Sequence, residues 1–131
     1  MPGSPWTSVL DLDAGHEYVV LATRFTVQSR RHLLGIMAST QQLWQSLPTT
    51  TGLAGHQFAV SPVRGTLSTL TAWQDRPALE AFVRGPLHAT LATDTRPLMQ
   101  ASRFVDWVAL GSDLPPSWRG ANERLDAARA R

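Results

Sequence analysis

The sequence predicts an α+β domain of ferredoxin-like layout, with an antiparallel sheet and the element order βαββαβ. Two observations predict it. Strand-like and helix-like segments follow one another in that order, and a chain of 131 residues with 43% apolar residues suits a single hydrophobic core. In this layout one side of the sheet carries both helices.

The first strand and helix are marked by contrasting patterns. The segment Tyr18–Phe25 is β-branched and aromatic on both faces, which is typical of a central strand that is covered on both sides. Ser29 is placed to cap a helix that runs through Leu47 with apolar residues at three- and four-residue steps. Pro48 and Gly52 then predict its end.

Two strands at a short distance predict a hairpin in the middle of the chain. Leu53–Val60 would place His56 and Phe58 on the same face as Val60. Thr66–Trp73 is rich in threonine, as strands often are. A turn of a few residues separates the two, so they should pair.

The second helix is predicted to be interrupted. Asp75 stands where an N-cap belongs, before Pro77 in the first turn, and Gly85-Pro86 breaks the helical pattern. A further helical segment covers Leu87–Met99. The last strand, Arg103–Leu110, is apolar on both faces.

Residues outside these elements form an arm and a tail. We expect an N-terminal arm over residues 1–17, anchored by Trp6, a ferredoxin-like domain over 18–111, and a tail over 112–131 with a short helix at Ala121–Arg131. Trp118 and Leu125 are the only sizeable apolar anchors of the tail. It is therefore expected to lie over the domain or over a partner.

The apolar character of both faces predicts a homodimer. A monomer with the strands Tyr18–Phe25 and Arg103–Leu110 would leave a large apolar sheet face exposed, which soluble monomers rarely tolerate. A second copy stacking sheet on sheet would cover that face.

Composition excludes several kinds of partner and site. All 12 basic residues are Arg, they are scattered along the chain, and the net charge is only +2, so no nucleic-acid-binding patch is expected. The absence of Cys excludes disulfides and thiolate metal sites. No apolar run is long enough for a membrane span, and Met1–Trp6 lacks a signal-peptide pattern, which predicts a cytoplasmic protein. The use of Arg in place of Lys suggests a bacterial source.

One stretch of the sequence resembles a known family. In Leu70–His88, a Trp closes a strand, an acidic turn follows, an aromatic residue lies in the next helix, and a small-residue break precedes a His. This pattern resembles the antibiotic biosynthesis monooxygenase-like proteins, and Gly52–Phe58 is similar to the family as well. The resemblance covers about 18–110 and implies a dimeric α+β barrel.

The resemblance implies a function class without choosing a reaction. We expect a small monooxygenase-like protein that acts on or binds a small aromatic or polyketide-like molecule in a pocket between helices and sheet, without a cofactor or a bound metal. A non-catalytic ligand-binding or structural homodimer is the alternative. A haem-binding protein is a further alternative, although the haem-degrading branch has a Trp where Phe82 stands here and an Asn that the first strand lacks.

Five residues are candidates for the site. His88 could act as a general base, assisted by Arg24, while Trp73, Trp44 and Phe82 could line the pocket and stack on an aromatic ligand. Each has a structural alternative. His88 could satisfy backbone groups at the helix break, the aromatic residues could be core, and Arg24 could face solvent or pair with an acid.

The remaining histidines and one buried-looking acid have no assigned chemistry. His16, His32 and His56 are expected at the surface or at an interface. Asp106 lies in an apolar strand and could meet Arg24 or Arg103 across a dimer. The sequence has no metalloprotease, phosphate-loop or serine-hydrolase motif, so those enzyme classes lack support.

Overall fold

A computed structural model describes residues 5–128 of the chain. The strands are β1 (Thr7–Ser8), β2 (Glu17–Val27), β3 (Leu53–Ser61), β4 (Thr66–Trp73) and β5 (Met99–Leu110), and the helices are α1 (His32–Ser46), α2 (Arg76–Arg84), α3 (Pro86–Thr95) and α4 (Trp118–Ala127). The strands form one antiparallel sheet in the order β1-β3-β4-β2-β5. This confirms the predicted ferredoxin-like fold. None of the helices in this range is long and apolar enough to cross a membrane.

Helices α1 and α2 cover one face of the sheet, which we call the helix face. It carries alternate residues of β2 and β4, and Val19 lies directly opposite Trp73. Two buried clusters join this face to the helices. Their buried members are Val19, Leu47, Leu53, Trp73 and Leu79 in one cluster, and Val27, Leu33, Ile36, Val60 and Leu67 in the other.

Some element ends differ from the prediction. Asp75 caps α2 as expected, and its carboxylate accepts a hydrogen bond of 2.9 Å from the backbone N–H of Ala78. Ser29 does not cap α1. Instead its backbone carbonyl accepts a bond of 2.9 Å from the N–H of His32, where the helix begins after a turn. β5 begins at Met99 because α3 ends at Thr95 and a single 3₁₀ turn follows.

The opposite face of the sheet, which we call the back face, is covered by the chain itself. Ala22 and Leu70 of this face are fully buried together with Ala121 and Leu125 of α4. Trp6 of the arm packs on the same cluster. The exposed face that led us to expect a homodimer is therefore covered within one chain, and a homodimer stays a prediction.

β5 is open on the helix-face side, in contrast to the predicted burial on both faces. There Phe104, Val108 and Leu110 are 36%, 55% and 42% exposed, because the two helix-face clusters centre on the other strands. Asp106 lies on the same side, and its carboxylate binds the guanidinium of Arg76 at 3.0 Å. Arg24 and Arg103 lie on the opposite side of the sheet, and a pairing of Asp106 with either of them across a dimer stays a prediction.

Candidate functional site

Trp73 is at the centre of the helix-face core. It is fully buried, and its indole N–H donates a hydrogen bond of 2.8 Å to the hydroxyl of Thr71. The ring of Phe82, from α2, lies 5.0 Å from the Trp73 ring. In this conformation Trp73 therefore has no open ring face on which a ligand could stack.

His88 is tied to the break between α2 and α3. Its ring meets the ring of Phe82 at 5.3 Å, nearly edge to face. Burial lowers the pKa of His88, and a hydrogen bond to the backbone carbonyl of Val83 works in the opposite direction. His88 is therefore a neutral imidazole at pH 7, with one N–H engaged by the end of α2.

Arg24 lies on the back face, away from the other candidates. Its guanidinium donates to the carboxylate of Asp126 at 2.7 Å and to the side-chain oxygen of Asn122 at 2.9 Å, both on α4. The sheet separates it from the helix face, where His88 lies. The structure therefore does not bring Arg24 and His88 together around one molecule.

Trp44 belongs to a second aromatic group on the helix face. Its ring lies 4.9 Å from that of Phe58 and 6.2 Å from that of His56, both on β3. The indole N–H of Trp44 donates to the hydroxyl of Thr40 at 3.0 Å, so the ring is held in position by α1 itself. The group thus combines one residue of α1 with two alternate residues of β3.

An open groove of about 520 Å³ lies between α1 and the β3–β4 hairpin beside this group. Its apolar walls are Met37, Trp44, Phe58 and Leu67, with Thr40, Gln41 and Gln45 supplying polar atoms. A concave, largely apolar surface with a few polar groups is the usual form of a small-molecule site. Of the five candidate site residues predicted from the sequence, Trp44 alone lines this groove.

His56 is the functional candidate that the sequence analysis missed. Its Nδ1 atom is buried, and it has no hydrogen-bond partner among residues 5–128. Burial also lowers the pKa of the ring. The signal was present in the sequence, because His56 alternates with Phe58 and Val60 along one strand face. A buried polar atom without a partner is costly, so such atoms often mark a binding or catalytic role.

The described residues hold no group of three or more His, Asp or Glu side chains that could bind a metal ion. A haem needs only one axial ligand, and a ligating His commonly donates its other N–H to a backbone carbonyl, as His88 does. His88 does not line the groove, however. We expect no Soret band when haem is added to the purified protein. A Soret band that disappears in His88→Ala would overturn this expectation and support the haem alternative.

Comparison with known proteins identifies the fold. No protein-family model and no curated protein matches the chain. Among solved structures, SnoaB, a cofactor-independent oxygenase from Streptomyces nogalater, matches with a TM-score of 0.57 and 20% identity over 76% of this chain and 98% of its own. An antibiotic biosynthesis monooxygenase matches with a TM-score of 0.63 and 13% identity over 70% and 98%.

A third match is a dimeric ferredoxin-like protein of unknown function from Jannaschia sp. CCS1. It has a TM-score of 0.60 and 16% identity over 69% of this chain and 97% of its own. Sequence identities at this level support a shared fold, but they do not identify the reaction or the substrate. The chain therefore has the fold of the antibiotic biosynthesis monooxygenase-like proteins.

Proposed function

We propose that the protein binds a small, flat, aromatic or polyketide-like molecule in the groove between α1 and the β3–β4 hairpin, and that it oxygenates this molecule as a cofactor-independent monooxygenase. The observation that carries the proposal is an open groove walled in part by Trp44 and Phe58, with His56 next to Trp44. His56 does not line the groove, but its buried Nδ1 has no hydrogen-bond partner among the described residues. The fold shared with an oxygenase that needs no cofactor agrees with it.

The proposed reaction requires only a general base from the protein. A neutral imidazole takes the proton of a phenolic hydroxyl, and the electron-rich phenolate then reacts with O₂. At the ring carbon opposite the hydroxyl a C–H becomes a C=O, so one oxygen atom enters the product and the other leaves as water. The substrate supplies all the electrons, and the protein orients it.

His56 and His88 are the two candidate bases. Both are neutral because burial lowers the pKa of each ring. His88 is the residue favoured by the sequence, but one of its nitrogens is engaged by Val83. His56 lies next to Trp44 but does not line the groove, so a substrate can reach its buried Nδ1 only after a rearrangement of the site.

A non-catalytic binding protein of the same fold is the second candidate. Two observations favour it. Arg24, which the sequence suggested as a catalytic assistant, is held by α4, and Trp73 is closed off by Phe82. In this case the groove would hold a metabolite without altering it, and the homodimer would serve binding or structure.

Replacing Trp44 with Ala tests the groove. We expect Trp44→Ala to weaken the binding of planar phenols with one to three fused rings by about tenfold or more, because a ring that lines a site contributes both area and stacking. Isothermal titration calorimetry measures the affinity, and an oxygen electrode with the same phenols detects turnover.

Trp118→Ala is the matched control, since it removes an indole from the opposite side of the sheet. Equal affinity in Trp44→Ala and the parent protein would contradict the groove as the site, as would an equal loss in Trp118→Ala. Binding without oxygen uptake for every phenol would favour the non-catalytic candidate.

A further inference from the structure

The back face of the sheet is made largely of apolar side chains, several of them small. Ala22 and Leu70 are fully buried there with residues of α4, whereas Val20 and Ala72 are buried with side chains outside α4, namely Trp6, Leu12 and Leu114. Without its cover, this face would be a continuous apolar surface of the kind that marks protein interfaces.

α4 covers the part of this face around Ala22 and Leu70, and its half-buried Trp118 packs on the same cluster. Ala121 and Leu125 are its two fully buried side chains, and Arg124 lies over the Trp107 ring at 4.2 Å. The helix has ten residues, which is too short to be stable on its own in water. Its position therefore depends on docking.

Two arginines of the sheet hold the C-terminal end of α4. Arg24 and Arg103 lie directly opposite each other on β2 and β5. Arg24 binds Asp126 at 2.7 Å, and Arg103 donates bonds of 3.2 Å to the backbone carbonyls of Leu125 and Asp126. The negative end of the helix thus offsets two adjacent positive charges. The side chains of this ion pair are 21% and 68% exposed, so the pair contributes little to holding α4 in place.

A second copy of this chain is the occupant that fits the uncovered face. The three similar structures are matched over 97–98% of their own length but over only 69–76% of this chain, so they hold little beyond the shared core. One of them is a dimeric ferredoxin-like protein. A two-fold dimer brings the same apolar patch of both copies together, and the long side chains of Arg24 and Arg103, which lie within β2 and β5, can extend their charged ends to water.

We propose that α4 occupies the place of a second copy, and that its release lets two chains pair through their back faces. The inference rests on the proposed homodimer and adds that homodimer formation competes with the docking of α4. The groove lies on the helix face, so ligand binding should not depend on this competition.

Leu125→Asp tests the competition, because it removes the main anchor of α4 and leaves every residue of the sheet in place. We expect sedimentation equilibrium to show a dimer dissociation constant at least about tenfold lower than that of the parent chain. Hydrogen exchange should show loss of protection in α4. Ala127→Asp adds the same charge at an exposed position of α4 and should behave as the parent.

A second substitution locates the interface. Val105→Glu places a charge on the back face of β5, and in the Leu125→Asp background it should return the chain to a monomer. A folded Leu125→Asp chain that stays monomeric would overturn the inference. Open-ended aggregation, or a dimer that survives Val105→Glu, would also overturn it.

A second variant, with a milder effect on the docking of α4, is used if Leu125→Asp does not fold. Asp126→Arg keeps Leu125 and reverses the charge that faces Arg24, and Glu123→Arg makes the same charge change at an exposed site. Dimer formation in the first alone supports the inference, and equal behaviour overturns it. Titration with a planar phenol separates the two proposals. If the variants never dimerise but bind the phenol with unchanged affinity, the proposed groove stands and the proposed role of α4 is refuted.

Discussion

Trp73→Ala is expected to lower the free energy of unfolding by about 3–5 kcal/mol, the range found when a large buried aromatic side chain is truncated. Trp73 is fully buried, and it packs against Phe82 and against the cluster that contains Val19, Leu53 and Leu79. A small domain has only about 5–15 kcal/mol of stability in total, so the variant should be marginally folded at 25 °C. Urea unfolding followed by circular dichroism gives the free energy directly.

Trp73→Phe separates the loss of volume from the loss of the ring. It keeps an aromatic ring against Phe82 and removes the indole bond to Thr71, which contributes about 0.5–1.5 kcal/mol. We expect a distinctly smaller loss than for Trp73→Ala. A loss below about 1 kcal/mol for Trp73→Ala would show that the centre of this core can relax around the missing ring, in contradiction to its tight burial.

The same tryptophan shows how far sequence patterns can predict this molecule. Its position at the end of a strand, followed by Asp75 as an N-cap, was readable because both features depend on residues that are near in sequence. The order of strands and helices follows from such local patterns, and so does the antiparallel hairpin. Ligand stacking on Trp73 was suggested by the same pattern, and only the packing of Phe82 shows that the ring is closed.

Contacts between distant residues could not be derived in this way. The partner of Arg24 is Asp126, 102 residues later, and no local pattern predicts that pairing. Strand periodicity correctly predicted that β2 is covered on both faces. It could not tell whether a second copy or the chain's own α4 supplies the cover, because both would present apolar side chains to the same face.

The surroundings of His56 could be predicted only in part, for a related reason. A histidine that alternates with Phe58 and Val60 can be judged to share their face, but its burial depends on α1, which places Trp44 over it. Sequence alone therefore left His56 at the surface or at an interface. It is half-buried on the helix face beside Trp44, and its Nδ1 is buried and unpartnered within the described part of the chain.

The two candidate bases can be separated by comparing His56→Phe with His88→Ala. We expect His56→Phe to reduce kcat for a planar phenol by about 100-fold or more, the usual contribution of a general base, while keeping a ring of similar size against Trp44. His88→Ala should mainly lower stability, since it removes the ring that packs on Phe82 and binds the carbonyl of Val83. The reverse result would assign the base to His88, as the sequence favoured.

The pH dependence of stability gives a readout that does not require turnover. Burial lowers the pKa of His56 in the folded chain, so the unfolded chain binds more protons than the folded chain once the pH falls below about 6.5. Stability is therefore fully present above that pH and is lost as the pH falls toward the lowered pKa. His56→Phe should remove the His56 part of this acid sensitivity and leave the part due to His88, whose pKa is lowered as well.

The activity profile should follow the same protonation. Because the neutral imidazole is the base, kcat/KM for the parent protein should rise as the pH increases through the lowered pKa and level off above about 6.5. His56→Phe should flatten this rise, whereas His88→Ala should preserve it at a lower thermal stability. If the rise of kcat/KM with pH persists in His56→Phe and disappears in His88→Ala, the general base is His88, at the break between α2 and α3. If neither variant alters turnover, the histidines serve binding and packing alone, and the groove at Trp44 acts without a base.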